Sequence, residues 1–249
     1  MVQWQSMIAL WKTLFFQPLY NGLIVLINIL PGASVGLAVI VLTLVVKIIL
    51  SPLSWKSSLS QIKQQELQPH LKTLRDKYPD KKEQSQKMIE FYKEHKTNPF
   101  AGCLLILLQL PIILALYQVF LKGVGDNIGL LYTSVAFPQV INPLFLGFID
   151  MTEKSILLAV VAGITQFFQI YLLQKRIPTA TVPSTTKNDG VPTMADMAQS
   201  MQKNMKFFMP IMITVFAAFV PSAVALYWVV SNLFSIGQEM MIKRRITSR

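Results

Sequence analysis

Apolar and polar residues fall in long blocks along this chain. Five stretches, about 33–53, 100–121, 155–174, 205–220 and 222–241, are apolar over a helix length that crosses a hydrocarbon core of roughly 30 Å at about 1.5 Å per residue. The last two meet at Val220-Pro221-Ser222, where proline predicts a tight turn between antiparallel helices. Ahead of them, Trp4, Ile8, Trp11 and Phe15 recur at helical spacing, with Gln3, Gln5, Ser6 and Lys12 elsewhere around the wheel. That pattern suits an amphipathic helix lying in the interface, with tryptophans at headgroup depth. The run Leu19–Leu30 is 12 residues long, too short to span alone, and Pro31-Gly32 ends it. Residues 1–32 are therefore expected as an interfacial segment on the outer face, with a sixth span from about 14 to 30 or a cleaved signal as the alternatives.

The polar blocks between the spans differ in character. Residues 54–99 read as two helices broken at Tyr78-Pro79-Asp80, with Leu67, Leu71, Leu74 and Tyr78 striping the first and Met88, Ile89 and Tyr92 the second. Lys alternates with Glu66, Asp76, Glu83, Glu90 and Glu94, as on a solvated helical hairpin. The stripes pack the two arms together, and the same residues also suit a docking arm for a partner. Residues 122–154 form a loop. Residues 175–204 are expected as a second loop, Pro/Thr/Ser-rich over 177–200 and carrying Asn188-Asp189-Gly190, and 242–249 as a basic tail.

Composition then excludes whole classes. Of 249 residues, 53% are hydrophobic and only 14% charged, against about 25% charged in ordinary soluble domains; the mean hydropathy is +0.47. This is an integral membrane protein. The single Cys103 leaves no disulfide framework and no thiolate metal site, and His70 and His95 lie 25 residues apart without ligand spacing. No phosphate-binding, metalloprotease, nucleophile-elbow or dinucleotide motif is present, so a catalytic centre has no residues to stand on and no cofactor is expected.

Charge orients the spans. Residues 54–99 carry ten Lys/Arg and six acids, 175–204 carry four and two, and 242–249 carry four and none. The segment 122–154 is net acidic, with Lys122 and Lys154 against Asp126, Asp150 and Glu153. With five spans the three basic segments share one side, and the positive-inside rule makes it the cytoplasm, the C-terminus included. The net charge of +11 suits anionic lipid or ribosomal RNA at that face; nothing points to DNA.

Within the spans the polar residues are few. Lys47 sits about six residues from the cytoplasmic end of the first, where an ammonium either snorkels to the headgroups or faces water inside the bundle. Thr43, Lys47, Ser51 and Ser54 repeat at i, i+4, i+8 and i+11, one polar stripe that snorkelling does not explain. Gln109 precedes Pro111 in the second span, Thr165, Gln166 and Gln169 lie in the third, and Tyr227, Trp228, Ser231 and Asn232 in the fifth. Each amide alone reads as interhelical glue. Beside a cation whose nearest acid in any span is Glu239 at the very end of the fifth, they point to a wet cavity open to the cytoplasm.

Phe16-Gln17-Pro18-Leu19-Tyr20-Asn21, the Ser51-Pro52-Leu53 exit of the first span, Lys96-Thr97-Asn98-Pro99-Phe100-Ala101-Gly102-Cys103, Gln109-Leu110-Pro111-Ile112 with Leu116-Tyr117, Phe219-Val220-Pro221-Ser222-Ala223-Val224-Ala225-Leu226-Tyr227-Trp228 and Ser231-Asn232 follow one another in order. In that order and spacing the chain resembles the YidC/Oxa/Alb membrane protein insertases over almost its whole length, in the short bacterial form. The resemblance implies an all-α membrane protein with five transmembrane helices around a cytoplasm-open hydrophilic groove, an N-terminal interfacial helix and a cytoplasmic helical hairpin that helps recruit substrate. It implies a multi-pass protein of the bacterial inner membrane that acts as insertase and chaperone rather than enzyme. Nascent membrane proteins would be its clients, with the ribosome and the Sec translocon as candidate partners. The substrate groove would be lined by Lys47, Thr43, Ser51, Gln109, Gln166, Gln169, Tyr227, Trp228, Ser231 and Asn232. Two departures stand out: the groove cation, usually Arg in bacterial members, is Lys47 here, and the proline usual two residues after Gly102-Cys103 is Leu105. The competing class is a small-solute or anion transporter using Lys47 as its binding charge. Transporters of that kind show inverted repeats, and no second-half counterpart of the Lys47 stripe is visible.

Overall fold

The computed structural model describes residues 9–78, 80–95, 97, 101–174 and 194–247. Trp4, Ile8, Pro79, Asn98, Pro99, Phe100 and most of the Pro/Thr/Ser-rich loop lie outside the described residues.

Helix α1 (Ala9–Ile29) is longer than the 12-residue run that the sequence suggests. The apolar run after Leu19 does not stand alone. It continues the turns before it, including a π-helical stretch at Lys12–Phe16, into one helix of 21 residues that is long and apolar enough to cross a membrane by length and composition. The aromatic ladder Trp11, Phe16, Tyr20, with ring centroids 5.7 and 6.2 Å apart, carries the helix across that stretch. Pro31 and Gly32 then end it, Gly32 taking φ 71°, a left-handed value that glycine adopts without steric cost.

Helix α2 (Val35–Glu66) does not stop at residue 53. It runs through Pro52 for 32 residues and so takes in the start of the expected hairpin. Proline removes one backbone hydrogen bond, and contact with another helix over this stretch offsets that loss. The hairpin arms are α3 (Gln68–Lys77) and α4 (Lys81–Glu94), the latter capped by Asp80, whose carboxylate accepts from the Lys82 N–H at 3.2 Å. Leu71 is buried and the arms touch one another. Helix α5 (Ala101–Lys122) likewise continues through Pro111. A 3₁₀ segment, Val124–Leu130, and a two-stranded hairpin of β1 (Leu144–Phe145) and β2 (Ile149–Asp150) follow, Leu144 pairing with Asp150 and Phe145 with Ile149. Leu146 and Gly147, both at positive φ, lie in its three-residue turn, which Phe148 completes. Thr152 holds the Asp150 carboxyl below the usual range by donating its hydroxyl at 2.6 Å. Helix α6 is Ile156–Gln174. Helix α7 (Met194–Phe219) begins inside the stretch 175–204 expected as loop, and α8 (Ser222–Thr247) runs past 241 into the expected tail.

The segment between α5 and α6 ties the bundle together at one end. Gln17 and Asn21 donate to the Leu130 carbonyl at 3.1 and 3.0 Å, Tyr20 to that of Val124 at 2.8 Å, and Asn28 to that of Ala136 at 2.8 Å. Asn21 also accepts from the Tyr132 N–H at 2.7 Å. The helix starts are pinned to the same segment, where free N–H groups need partners. Val35 N–H reaches the Asn142 carbonyl at 3.0 Å, and both the N–H and the hydroxyl of Ser222 reach Glu153 O, at 2.7 and 2.6 Å. At Gly36 the Phe145 ring lies where a Cβ would stand, so only glycine fits.

α6 packs against both α7 and α8, while α8 also packs on α2, and α5 touches α1, α2 and α8. Tyr20, Leu23, Ile24 and Ile27 of α1 share one core with Val35 and Val39 of α2, Leu116 and Val119 of α5, and Val224 of α8. The outward sides are equally apolar: Val45, Ile48 and Ile49 on α2, Ile156, Ile164 and Phe168 on α6, Phe207, Ile211, Val215 and Phe219 on α7. Apolar residues outside as well as inside identify lipid as the surrounding solvent.

Asn21→Ala would take the acceptor from the Tyr132 N–H and one of two donors from the Leu130 carbonyl, which keeps Gln17. Losing such buried pairs costs about 2–4 kcal/mol and is expected to lower the thermal unfolding midpoint in detergent by roughly 5–10 °C. Asn28→Ala, at an exposed position with one bond, is expected to shift it by about 2 °C or less.

Candidate functional site

Serines spaced one turn apart on α2 meet a matching set on α8. Thr43, Lys47, Ser51, Ser54 and Ser58 follow the i, i+4 and i+7 rule along α2, and Ser231, Ser235, Gln238 and Glu239 follow it along α8. The Lys47 ammonium crosses to the Ser235 hydroxyl at 3.5 Å, and Ser235 passes its own proton to the Ser231 carbonyl at 2.9 Å. One turn further, Ser54 Oγ pairs with Gln238 Oε1 at 2.9 Å, and Gln238 Nε2 reaches the Ser51 carbonyl at 3.4 Å. Ser58 donates to Glu239 at 2.7 Å. The two helices are thus joined by a polar seam, with apolar side chains outside it.

A second joint lies deeper. From α5 the Gln109 amide donates to the Tyr227 hydroxyl of α8, with the Ser231 side chain beside that oxygen. From α6 the Thr165 hydroxyl accepts from Asn232 Nδ2 at 3.2 Å, and the Ala162 carbonyl accepts from it at 3.4 Å. Three helices, α2, α5 and α6, therefore send polar groups toward α8.

The ten residues expected to line a groove divide by burial. Lys47, Ser51, Gln109, Gln166 and Gln169 are half-buried. Thr43, Tyr227, Trp228, Ser231 and Asn232 are buried between helices. Thr43 spends its hydroxyl on its own helix, on the Val39 carbonyl at 2.6 Å, and Trp228 meets Phe216 edge-to-face at 5.6 Å. Ser235, Gln238 and Ser58 escaped sequence reasoning, and Glu239 was seen only as a distant acid; the i, i+4 repeat Ser231-Ser235-Glu239 was the signal that pointed to Ser235 and Glu239.

At the far ends of the two helices Arg245 stacks over the Trp55 ring at 5.2 Å. Among the described residues no group of three His, Cys, Asp or Glu is placed to hold a metal ion. The arrangement sets one ammonium, several hydroxyls and amides within an apolar surround.

The family of the 60Kd inner membrane protein matches residues 25–249. Membrane protein insertase YidC 1 of Halalkalibacterium halodurans is 34% identical over 241 residues, covering 94% of this chain and 79% of the relative. Membrane protein insertase YidC of Histophilus somni is 33% identical over 243 residues, 96% of this chain, which spans only 38% of that longer protein. A crystal structure of an active YidC insertase with its first transmembrane domain resolved shares the fold, with a TM-score of 0.53 at 22% identity over 82% of this chain and 40% of the other.

Proposed function

The chain belongs to the 60Kd inner membrane protein family, and on that footing we propose that it is a membrane protein insertase, not an enzyme. The observation that carries this reading is the cation-bearing seam Lys47·Ser235 between α2 and α8, sunk among apolar helices, with the Gln109 amide of α5 on Tyr227 of the same α8. Five helices, α2, α5, α6, α7 and α8, cross the inner membrane. The basic segments and the C-terminus lie in the cytoplasm, and the clamp of α1 on residues 124–136 closes the outer side. A nascent segment with a polar or acidic flank enters from the cytoplasm along the half-buried face formed by Lys47, Ser51, Gln109, Gln166 and Gln169. Lys47 attracts its acidic groups while the amides hydrogen-bond the rest. The apolar part then leaves sideways into lipid, driven by roughly 0.8 kcal/mol per CH₂, so no nucleotide is consumed. The α3–α4 hairpin receives the client, and the ribosome, the Sec translocon and anionic lipid meet the basic face.

Reconstitution into liposomes tests this against transport. The purified protein is expected to make a single-span test protein protease-resistant, at a yield well above empty liposomes, without anion or small-solute flux. Flux without insertion would replace the reading by the transporter, and neither activity would leave an assembly factor.

A further inference from the structure

We propose that Ser235 is a positioning residue that holds the Lys47 ammonium on the α8 wall of the groove and so sets how well acidic clients are received; this rests on the insertase reading above. A lysine side chain at this depth has two resting places, the headgroup layer along its own helix or the interior across the bundle. Here it takes the second, and its ammonium ends on the Ser235 hydroxyl at 3.5 Å. That hydroxyl has a single proton, which goes to the Ser231 carbonyl at 2.9 Å, so its lone pairs are what it offers the cation. One of the ammonium's three donors is thereby used, leaving two for a client carboxylate. Ser235 is itself braced from below. Ser231, whose carbonyl orients it, is buried beside the Tyr227 hydroxyl that receives the Gln109 amide. Above it, the next turn of α8 is locked to α2 through Ser54 and Gln238. The hydroxyl therefore stands on a stretch of backbone fixed at both ends, which is what a positioning group requires.

Two single-span clients that differ only in two Asp or two Asn on the translocated flank provide the test in proteoliposomes. Ser235→Ala is expected to lower insertion of the Asp client roughly threefold, the scale of one weak charge-assisted hydrogen bond, and to leave the Asn client unchanged. Ser235→Thr keeps the hydroxyl and should restore insertion. In a Lys47→Gln background Ser235→Ala should add nothing, because the partner is gone. Equal losses for both clients, or a loss that persists in the Lys47→Gln background, would mean a merely structural role. A normal Asp client with Ser235→Ala, where Lys47→Gln impairs it, would overturn the positioning role alone. If Lys47→Gln itself spares both clients, the charge reading of the groove falls and this proposal with it. A measurement independent of insertion is acylation of Lys47 by a small water-soluble amine reagent, followed by mass spectrometry. It should accelerate severalfold in Ser235→Ala, and an unchanged rate would show that Ser235 does not hold the ammonium.

Discussion

Lys47→Glu is expected to reduce insertion of clients with an acidic translocated flank by at least tenfold, while clients with a neutral flank insert at near-normal yield. Two carboxylates about 4 Å apart repel by roughly 4 kcal/mol at an effective dielectric of about 20, and the attraction that lysine supplied is lost as well. Water in the groove lowers that figure, and tenfold corresponds to about 1.4 kcal/mol, a conservative fraction of it. Lys47→Arg should keep insertion of both clients, because the charge and its donors remain. Quantifying protease-protected product for the two clients checks the split. Normal insertion of the acidic client by Lys47→Glu would remove charge from the mechanism. Burial refines where water is expected to reach. Cysteines at 47 and 51, with Cys103 replaced by Ser, should react with a hydrophilic maleimide. Cysteine at 43 should not, since Thr43 is only 2% exposed, and cysteines at 45 and 49 replace outward-facing residues on the lipid side.

Gly163→Leu is expected to abolish the α6–α7 contact and with it a stable, monodisperse protein in detergent. A Cβ at Gly163 would fall on the Thr214 hydroxyl and 3.2 Å from the Pro210 carbonyl. Thr214 cannot simply swing away, because its hydroxyl bonds that same carbonyl at 2.9 Å and a β-branched side chain is stiff at χ1. Between helices in lipid there is little hydrophobic drive to restore the contact, so close approach at small residues carries the association. Gly163→Ala, with one methyl instead of four carbons, should cost about 1–3 kcal/mol, read as a fall in the unfolding midpoint of roughly 3–10 °C. Gly163→Ala combined with Thr214→Ala should recover much of that fall, since the second change removes the atom in the way. An unchanged midpoint for Gly163→Ala would mean that the two helices are not packed as closely as this.

The two predictions draw on different kinds of information. That Lys47 matters was legible in the sequence, because a charge in an apolar block and hydroxyls at one-turn spacing are properties of one helix taken alone. The same holds for the block pattern: α5 and α6 begin and end within a residue or two of the limits that hydropathy indicates, and Pro221 stands between α7 and α8. The family, too, was readable from motifs in order. That Ser235 receives Lys47, that Thr43 and Tyr227 are buried rather than half-open, and that Gly163 admits Thr214 were decided by tertiary structure alone. Each depends on the rotation and axial register of one helix against another, which neither helix's periodicity contains. The continuation of α2 through Pro52 belongs here as well. Local chemistry reads Ser51-Pro52-Leu53 as an exit, whereas the bonds from Ser54 and Ser58 to α8 keep the helix going. Likewise Gln17, Tyr20 and Asn21 look like one polar turn in an interfacial segment. Only the folded chain shows them spent on the backbone of residues 124–132, more than a hundred positions away, where carbonyls without water must find a donor.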